Sequence, residues 1–198
     1  MGVTTRKGAG AAKSSTRDTI LDCVERLLLD QGHAGVSYRI LAATAGVKPS
    51  LVQYYFPTLD SVFVAMVHRL IERDLQRWND ALAHRPDEPL RVLWEYSFSE
   101  AAGAMSTELM ALGNHRPALR DEIAAGTERI RHTQLRALRA TYGDRLLLDD
   151  RFSPEAMVVL LTSMPKYLSL EDGINVDMGH NALIDAFESY LDAIEPRH

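Results

Sequence analysis

Residues 37–57 constrain this chain more than any other stretch. Two short helical patterns are joined there by Ala45-Gly46-Val47 and closed by Pro57. Ser37 is suited to cap the first helix. Leu41, Ala42 and Ala45 line its inward face, and Gly46 ends it. The second helix runs from Lys48 to Tyr55, with Pro49 in the first turn, where its missing N–H loses no bond. A small Ala42 lets the two helices cross closely, Gly46 relieves the backbone at the turn, and Val47 plugs the gap between them. Lys48, Ser50, Gln53 and Tyr54 then share one exposed side. A short helix with polar and flat side chains on one face fits the major groove of B-DNA. Helix starts at Ser37 and Lys48 also aim free N–H groups at phosphates. Helical hairpins with a glycine turn are common, so spacing by itself leaves simple packing as the other reading of Tyr54 and Tyr55.

Charge is distributed to match. The 198-residue chain carries −5 overall. Residues 1–57 hold seven Lys or Arg against four Asp or Glu, and residues 58–198 hold fifteen against twenty-three. A basic head on an acidic body touches phosphates at one end and is repelled by them elsewhere. The lone Cys23 cannot form an internal disulfide and reads as a small buried hydrophobe. The basic start has no apolar run behind it, and no segment has the length and apolarity of a membrane span. A cytoplasmic protein is the expectation.

Along the chain, residues 1–14 read as a disordered basic arm. Arg6, Lys7 and Lys13 there suit a DNA backbone or minor groove, or equally a solubilising tail. A helix should begin near Ser15 or Thr16, with Ile20, Val24, Leu27 and Leu28 as its apolar stripe, and stop at Gln31-Gly32. Long helices follow: 58–84, buried through Val62, Met66, Leu70 and Leu75; 89–103 with Leu93, Trp94, Tyr96 and Phe98; a short piece over 106–115; and 117–142. Ser153-Pro154-Glu155 starts a helix over about 154–170 that Pro165 should kink, and 177–194 forms the last. No strand pattern emerges. The expected fold is all-α: an N-terminal three-helix helix-turn-helix DNA-binding domain over 15–57 and a larger C-terminal helical domain over 58–198.

Residues 37–67, SYRILAATAGVKPSLVQYYFPTLDSVFVAMV, resemble the signature of the tetracycline-repressor (TetR) family of transcriptional regulators. Ser37, Arg39, Leu41, Ala42, Ala45, Gly46, Val47, Tyr55 and Phe56 match it in order and spacing. The resemblance covers residues 16–68; beyond that only the helical architecture agrees. It implies that Ser37 and Tyr55 bond phosphates and that Arg39 reaches a phosphate or a guanine edge. Lys48, Pro49, Ser50 and Leu51 would face bases, and Phe56 would be core. Three positions depart from the pattern. Gln53 replaces a common phosphate-binding Tyr, Leu51 a common Thr, and Leu59 a Lys, for which Thr58 is the substitute.

The resemblance also implies a cavity in the helical body for a small apolar or amphipathic effector. Trp94, Phe98, Met105, Met110, Asn114, His115, Met164 and Tyr167 are the candidate lining, though the same side chains suit an ordinary core. The last two helices are expected to pair with their twins as a four-helix bundle. That would set two reading helices about 34–36 Å apart on a palindromic double-stranded operator. The seven histidines are scattered, and no HExxH motif or glycine-rich phosphate loop is present. The expectation is a repressor released by its ligand, and no enzyme, metal or cofactor. A DNA-binding protein without an effector and an activator on the same fold are the alternatives.

Overall fold

The computed structural model of the chain describes residues 7–98 and 100–196, with side chains over 15–98 and 103–196. Among the described residues there are nine α-helices, a single 3-10 turn (His33–Gly35), one isolated bridge between Leu147 and Phe152, and no strand. The fold is all-α. The helices are α1 (Lys7–Gln31), α2 (Tyr38–Thr44), α3 (Pro49–Tyr55), α4 (Leu59–His84), α5 (Pro89–Ser97), α6 (Glu100–His115), α7 (Pro117–Tyr142), α8 (Pro154–Asp172) and α9 (His180–Ile194). Contacts divide the chain into two units. One comprises residues 1–70 with 108–123, and the other 71–107 with 124–198.

The first unit is built around buried Ile20, Leu21, Val24 and Leu28 of α1, Leu41 of α2, Val52 of α3 and Val62, Phe63, Met66 and Val67 of α4. Arg69 clamps α4 to α1. Its guanidinium bonds Glu25, sits 2.9 Å from Asp22 and reaches the Asp18 carbonyl at 3.2 Å. The corner between α6 and α7 belongs to this unit: Arg116 bonds Asp60 and lies over the Phe63 ring at 4.9 Å, and His68 meets Glu122 at 2.6 Å. α4 starts with a reciprocal cap. The Ser61 N–H donates to the Thr58 hydroxyl at 3.1 Å, and the Thr58 N–H to the Ser61 hydroxyl at 3.3 Å, which satisfies donors a helix start otherwise leaves open.

The second unit packs Trp78, Leu82, Leu90, Leu93, Trp94, Leu138, Met157, Val158, Leu161, Phe187 and Leu191 into one cluster. Arg91, only 1% exposed, meets Asp192 at 2.7 Å and Glu188 at 3.6 Å. Glu195, also buried, accepts the Leu90 and Arg91 N–H groups at 2.9 and 2.7 Å and the Tyr142 hydroxyl. A carboxylate from the end of α9 thus caps the start of α5, favourable at the positive end of a helix dipole.

Local chemistry explains where the helices start and stop. Ser37 accepts the Ile40 N–H at 3.4 Å, Ser153 accepts the Ala156 N–H at 3.3 Å, and Pro49, Pro89 and Pro154 stand in first turns. Four boundaries differ from the sequence reading. α1 is already helical at Lys7, so Ser15 lies inside it; its carbonyl accepts the Thr19 hydroxyl at 2.8 Å. Ala9, Ala11, Ala12 and Lys13 are strong helix formers that extend a helix once its core face is anchored. Of the expected arm, residues 1–6 lie outside the described residues. The helix expected over 89–103 ends at Ser97, and α6 starts at Glu100 rather than near Ser106. Gly103, read as a stop, is a close approach instead: a Cβ there would lie 3.4 Å from the Lys166 carbonyl oxygen. The last helix starts at His180, after a left-handed Gly179, rather than at Asp177.

Candidate nucleic-acid interface

α2 and α3 form the hairpin that the sequence called for. Ala42 and Val52 are buried between them, and the Val47 N–H donates to the Ala42 carbonyl at 2.9 Å. Gly46 turns the chain with φ +67°, a backbone that residues with a Cβ adopt only under strain. The Tyr38 hydroxyl donates to the Phe56 carbonyl at 2.8 Å and ties the start of α2 to the end of α3. Arg17 of α1 lies over the Phe56 ring at 5.3 Å. These bonds hold α3 through its inner side and its ends and leave its outer side exposed.

That outer side carries the expected residues. Lys48, Pro49, Ser50, Leu51, Gln53 and Tyr54 of the α3 segment are exposed, as are Arg39 of α2 and Thr58; Ser37 and Tyr55 are half-buried. Tyr54 and Tyr55 meet edge to face with ring centroids 5.4 Å apart. The Ser37 hydroxyl caps α2 and the Thr58 hydroxyl caps α4. All ten therefore lie in the first unit, on or beside one short helix. Neither Arg39 nor Lys48 has a carboxylate within ion-pair distance among the described residues. The sequence shows why: residues 31–59 contain no Asp or Glu. An acid-free stretch with uncompensated cations presents a positive potential to a polyanion. Tyr38 and Arg17 are the positioning residues that sequence reasoning missed. Each acts on Phe56 from far along the chain, so no local pattern marks them.

The candidate effector residues are less convergent. Trp94, Phe98 and Met164 share the second unit's apolar cluster. Trp94 is fully buried, stacks on Phe187 at 5.0 Å, and donates its indole N–H to Glu188 at 3.0 Å. Tyr167 of α8 is 61% exposed, and Met105 of α6 is half-buried. Met110, Asn114 and His115 belong to the first unit, where the His115 ring stacks on His33 at 5.5 Å. Phe98 lines a 580 Å³ cavity with Ala104, Ser169, Leu170, Asp172 and Gly173. Among the described residues no group of His, Cys, Asp and Glu gathers to hold a metal ion. No described helix is long and apolar enough to cross a membrane.

No family model matches the chain. It is 25% identical over 194 residues to the HTH-type transcriptional regulator TcmR of Streptomyces glaucescens, covering 91% of this chain and 83% of that one. A putative TetR-family transcriptional regulator from Rhodococcus superposes with a TM-score of 0.69 at 20% identity, over 89% of this chain and 99% of that one. The multidrug binding protein EbrR, solved with imidazole, superposes with a TM-score of 0.58 at 26% identity, over 79% and 85%. The hairpin, its exposed outer side and these relatives agree in likening the chain to helix-turn-helix transcriptional regulators of the TetR family.

Proposed function

We propose that the chain is a homodimeric repressor that holds a palindromic operator through α3 of each protomer and lets go when a small molecule binds its C-terminal helices. The observation that carries this reading is the outer side of α3, exposed and polar in a stretch without acids. In this reading residues 15–57 form the DNA-binding domain and 58–198 the sensing and dimerisation domain. Ser37, Tyr55 and Thr58 contact phosphates, Arg39 a phosphate or a guanine edge, and Lys48, Pro49, Ser50 and Leu51 the bases, with Gln53 and Tyr54 beside them. Phosphate contacts set affinity and register, and base contacts set sequence. The protein works as a binding switch, with no catalytic step and no cofactor.

Dimerisation is supported by where apolar surface remains. Val159, Tyr167, Leu170, Ile174, Val176, Met178 and Ile194, seven of the thirteen large exposed hydrophobics among the described residues, lie on α8, α9 or the turn between them. A concentration of that kind marks a protein interface, and a two-fold pairing of α8 and α9 would bury it. For release, α4 is the natural lever. It begins four residues after α3 ends, and it supplies residues to both units. A ligand that binds one position of α4 better than another shifts the reading helices by that difference in affinity. EbrR, a multidrug binding protein by name, shows that a relative of this fold takes small molecules.

Selection of bound fragments from genomic DNA of the source tests the reading. The expected outcome is enrichment of a two-fold symmetric sequence, bound by a dimer. A particle that stays monomeric at micromolar concentration, or recovers no fragment above background, contradicts it.

A further inference from the structure

α4 and α7 run side by side in the second unit. They pack tightly at Gly126, where a Cβ would lie 2.0 Å from Ile71 Cδ1. One turn further on, a groove of 650 Å³ opens between them. On α7 it is lined by Arg129, His132, Arg136 and Arg139, and on α4 by Glu72 and Gln76. Three guanidiniums against one lining carboxylate is an unusual concentration in a chain of net charge −5. The pairs within it are uneven. Arg129 meets Glu72 at 2.8 Å, and Arg139 is met by Asp144 and Glu155 from outside the groove. Arg136 has no carboxylate within ion-pair distance among the described residues; its guanidinium donates to the Thr133 hydroxyl at 3.2 Å.

Arg136 also lines an adjoining cavity of 320 Å³, whose other walls are mainly Leu82, Ala83, Pro86, Ala137 and Ala140. One uncompensated guanidinium thus stands where a cationic compartment meets an apolar one. We propose that the paired cavities bind an amphipathic anion: a carboxylate held by Arg136, with an apolar tail laid along Ala137, Ala140 and Pro86. Arginine matches a carboxylate with two parallel N–H bonds, and apolar walls with a few polar anchors are how proteins hold small molecules. As the effector site, the groove rests on the reading of the chain as a ligand-released regulator, and it places the ligand against α4, the proposed lever. As a binding site it stands alone.

Calorimetric titration of the full chain, without DNA, with sodium decanoate and with decyltrimethylammonium bromide tests it. Because no duplex is present, the result is independent of whether the chain holds an operator. Decanoate is expected to bind once per chain and about tenfold tighter than the cation, the ratio one charge-assisted bond supplies. Arg136→Gln should weaken decanoate about tenfold, Arg136→Lys should restore part of the preference for the anion, and Ala140→Phe should weaken decanoate by filling the tail compartment. Arg136 and Ala140 are exposed, so unchanged far-ultraviolet circular dichroism is expected for all three. Equal binding of the two probes, no decanoate binding, or decanoate binding indifferent to Arg136→Gln would overturn the proposal. Weakening by a second copy seated on the groove, seen as decanoate affinity that drops with protein concentration, would overturn it too.

Discussion

The α2–α3 head and the α5–α8–α9 body use charge in opposite ways. In the body, arginines serve the fold. Arg85 bonds Glu88 and Glu95, Arg129 bonds Glu72, and Arg91 is buried among Asp192, Glu188 and the Glu195 carbonyl. In the head, the cations that serve the fold sit on α1 and α4, as Arg17 and Arg69 do, while Arg39 and Lys48 on the hairpin itself meet no carboxylate. A charge that the fold does not need is available to a partner, and a polyanionic partner supplies the missing half of the pair. Arg136, which lines the groove between α4 and α7 and meets no carboxylate among the described residues, is a charge of that kind in the body.

The largest expected effect lies in the body. Glu195→Ala removes the acceptor for two α5 N–H groups and for the Tyr142 hydroxyl. Leaving these buried donors without their acceptor costs about 3 kcal/mol, readable as a lower urea midpoint at unchanged slope. A loss under about 1 kcal/mol would mean that the body's charges hold it together no more than the head's do.

Next comes the double change Arg39→Gln with Lys48→Gln. DNA binding should weaken by about 1.5 kcal/mol for each charge-assisted bond lost. The slope of log K against log salt should fall by about 0.9 for each phosphate contact removed. Folding stability should move by less than about 0.5 kcal/mol, as at exposed sites without partners. If stability drops as much as binding, the hairpin's cations belong to the fold and the contrast with the body fails.

Gly46→Ala should destabilise by about 1 kcal/mol, because φ +67° strains any residue with a Cβ even though nothing lies within 4 Å of the new atom. Thermal unfolding followed by circular dichroism measures it, and an unchanged midpoint would show that the turn tolerates a side chain.

The smallest effect is in pH. Both ring nitrogens of His180 face carboxylates, Nε2 toward Glu171 at 2.8 Å and Nδ1 toward Asp172 at 3.0 Å. The hydrogen bond to Glu171 leads in holding its pKa above the ordinary 6.5, reinforced by Asp172 and opposed by burial. A pKa raised by folding contributes stability below about 6.5 that fades as pH climbs through the folded-state value. Stability measured from pH 6 upward should therefore decline, and His180→Asn should flatten that decline. A slope of the same size in the variant would assign it to other groups.

The head was the more legible region, because short-range chemistry specifies it. Ser37, Gly46, Pro49 and Pro57 each act on backbone within a few residues, so the hairpin and its exposed side could be read in order. Pro117 and Ser153-Pro154 marked the starts of α7 and α8 for the same reason. The misread boundaries depend on distant partners. The break after Ser97 carries no proline or glycine, and Gly103 answers to the Lys166 backbone on α8. Glu195 caps a helix start more than a hundred residues away. The groove between α4 and α7 was also invisible, since its lining arginines look like any solvated helix face until the two helices are placed together.

The central claim is that α3 enters a major groove, twice, on a symmetric site. Dimethyl sulfate probing of guanine N7 in the selected operator tests it most directly, because that atom lies in the major groove. The account predicts two protected clusters on one face of the duplex, centred about 10 base pairs or a multiple of that apart, both lost with Arg39→Gln and Lys48→Gln. A single cluster, or guanines that remain fully reactive on a duplex the protein still occupies, would contradict it.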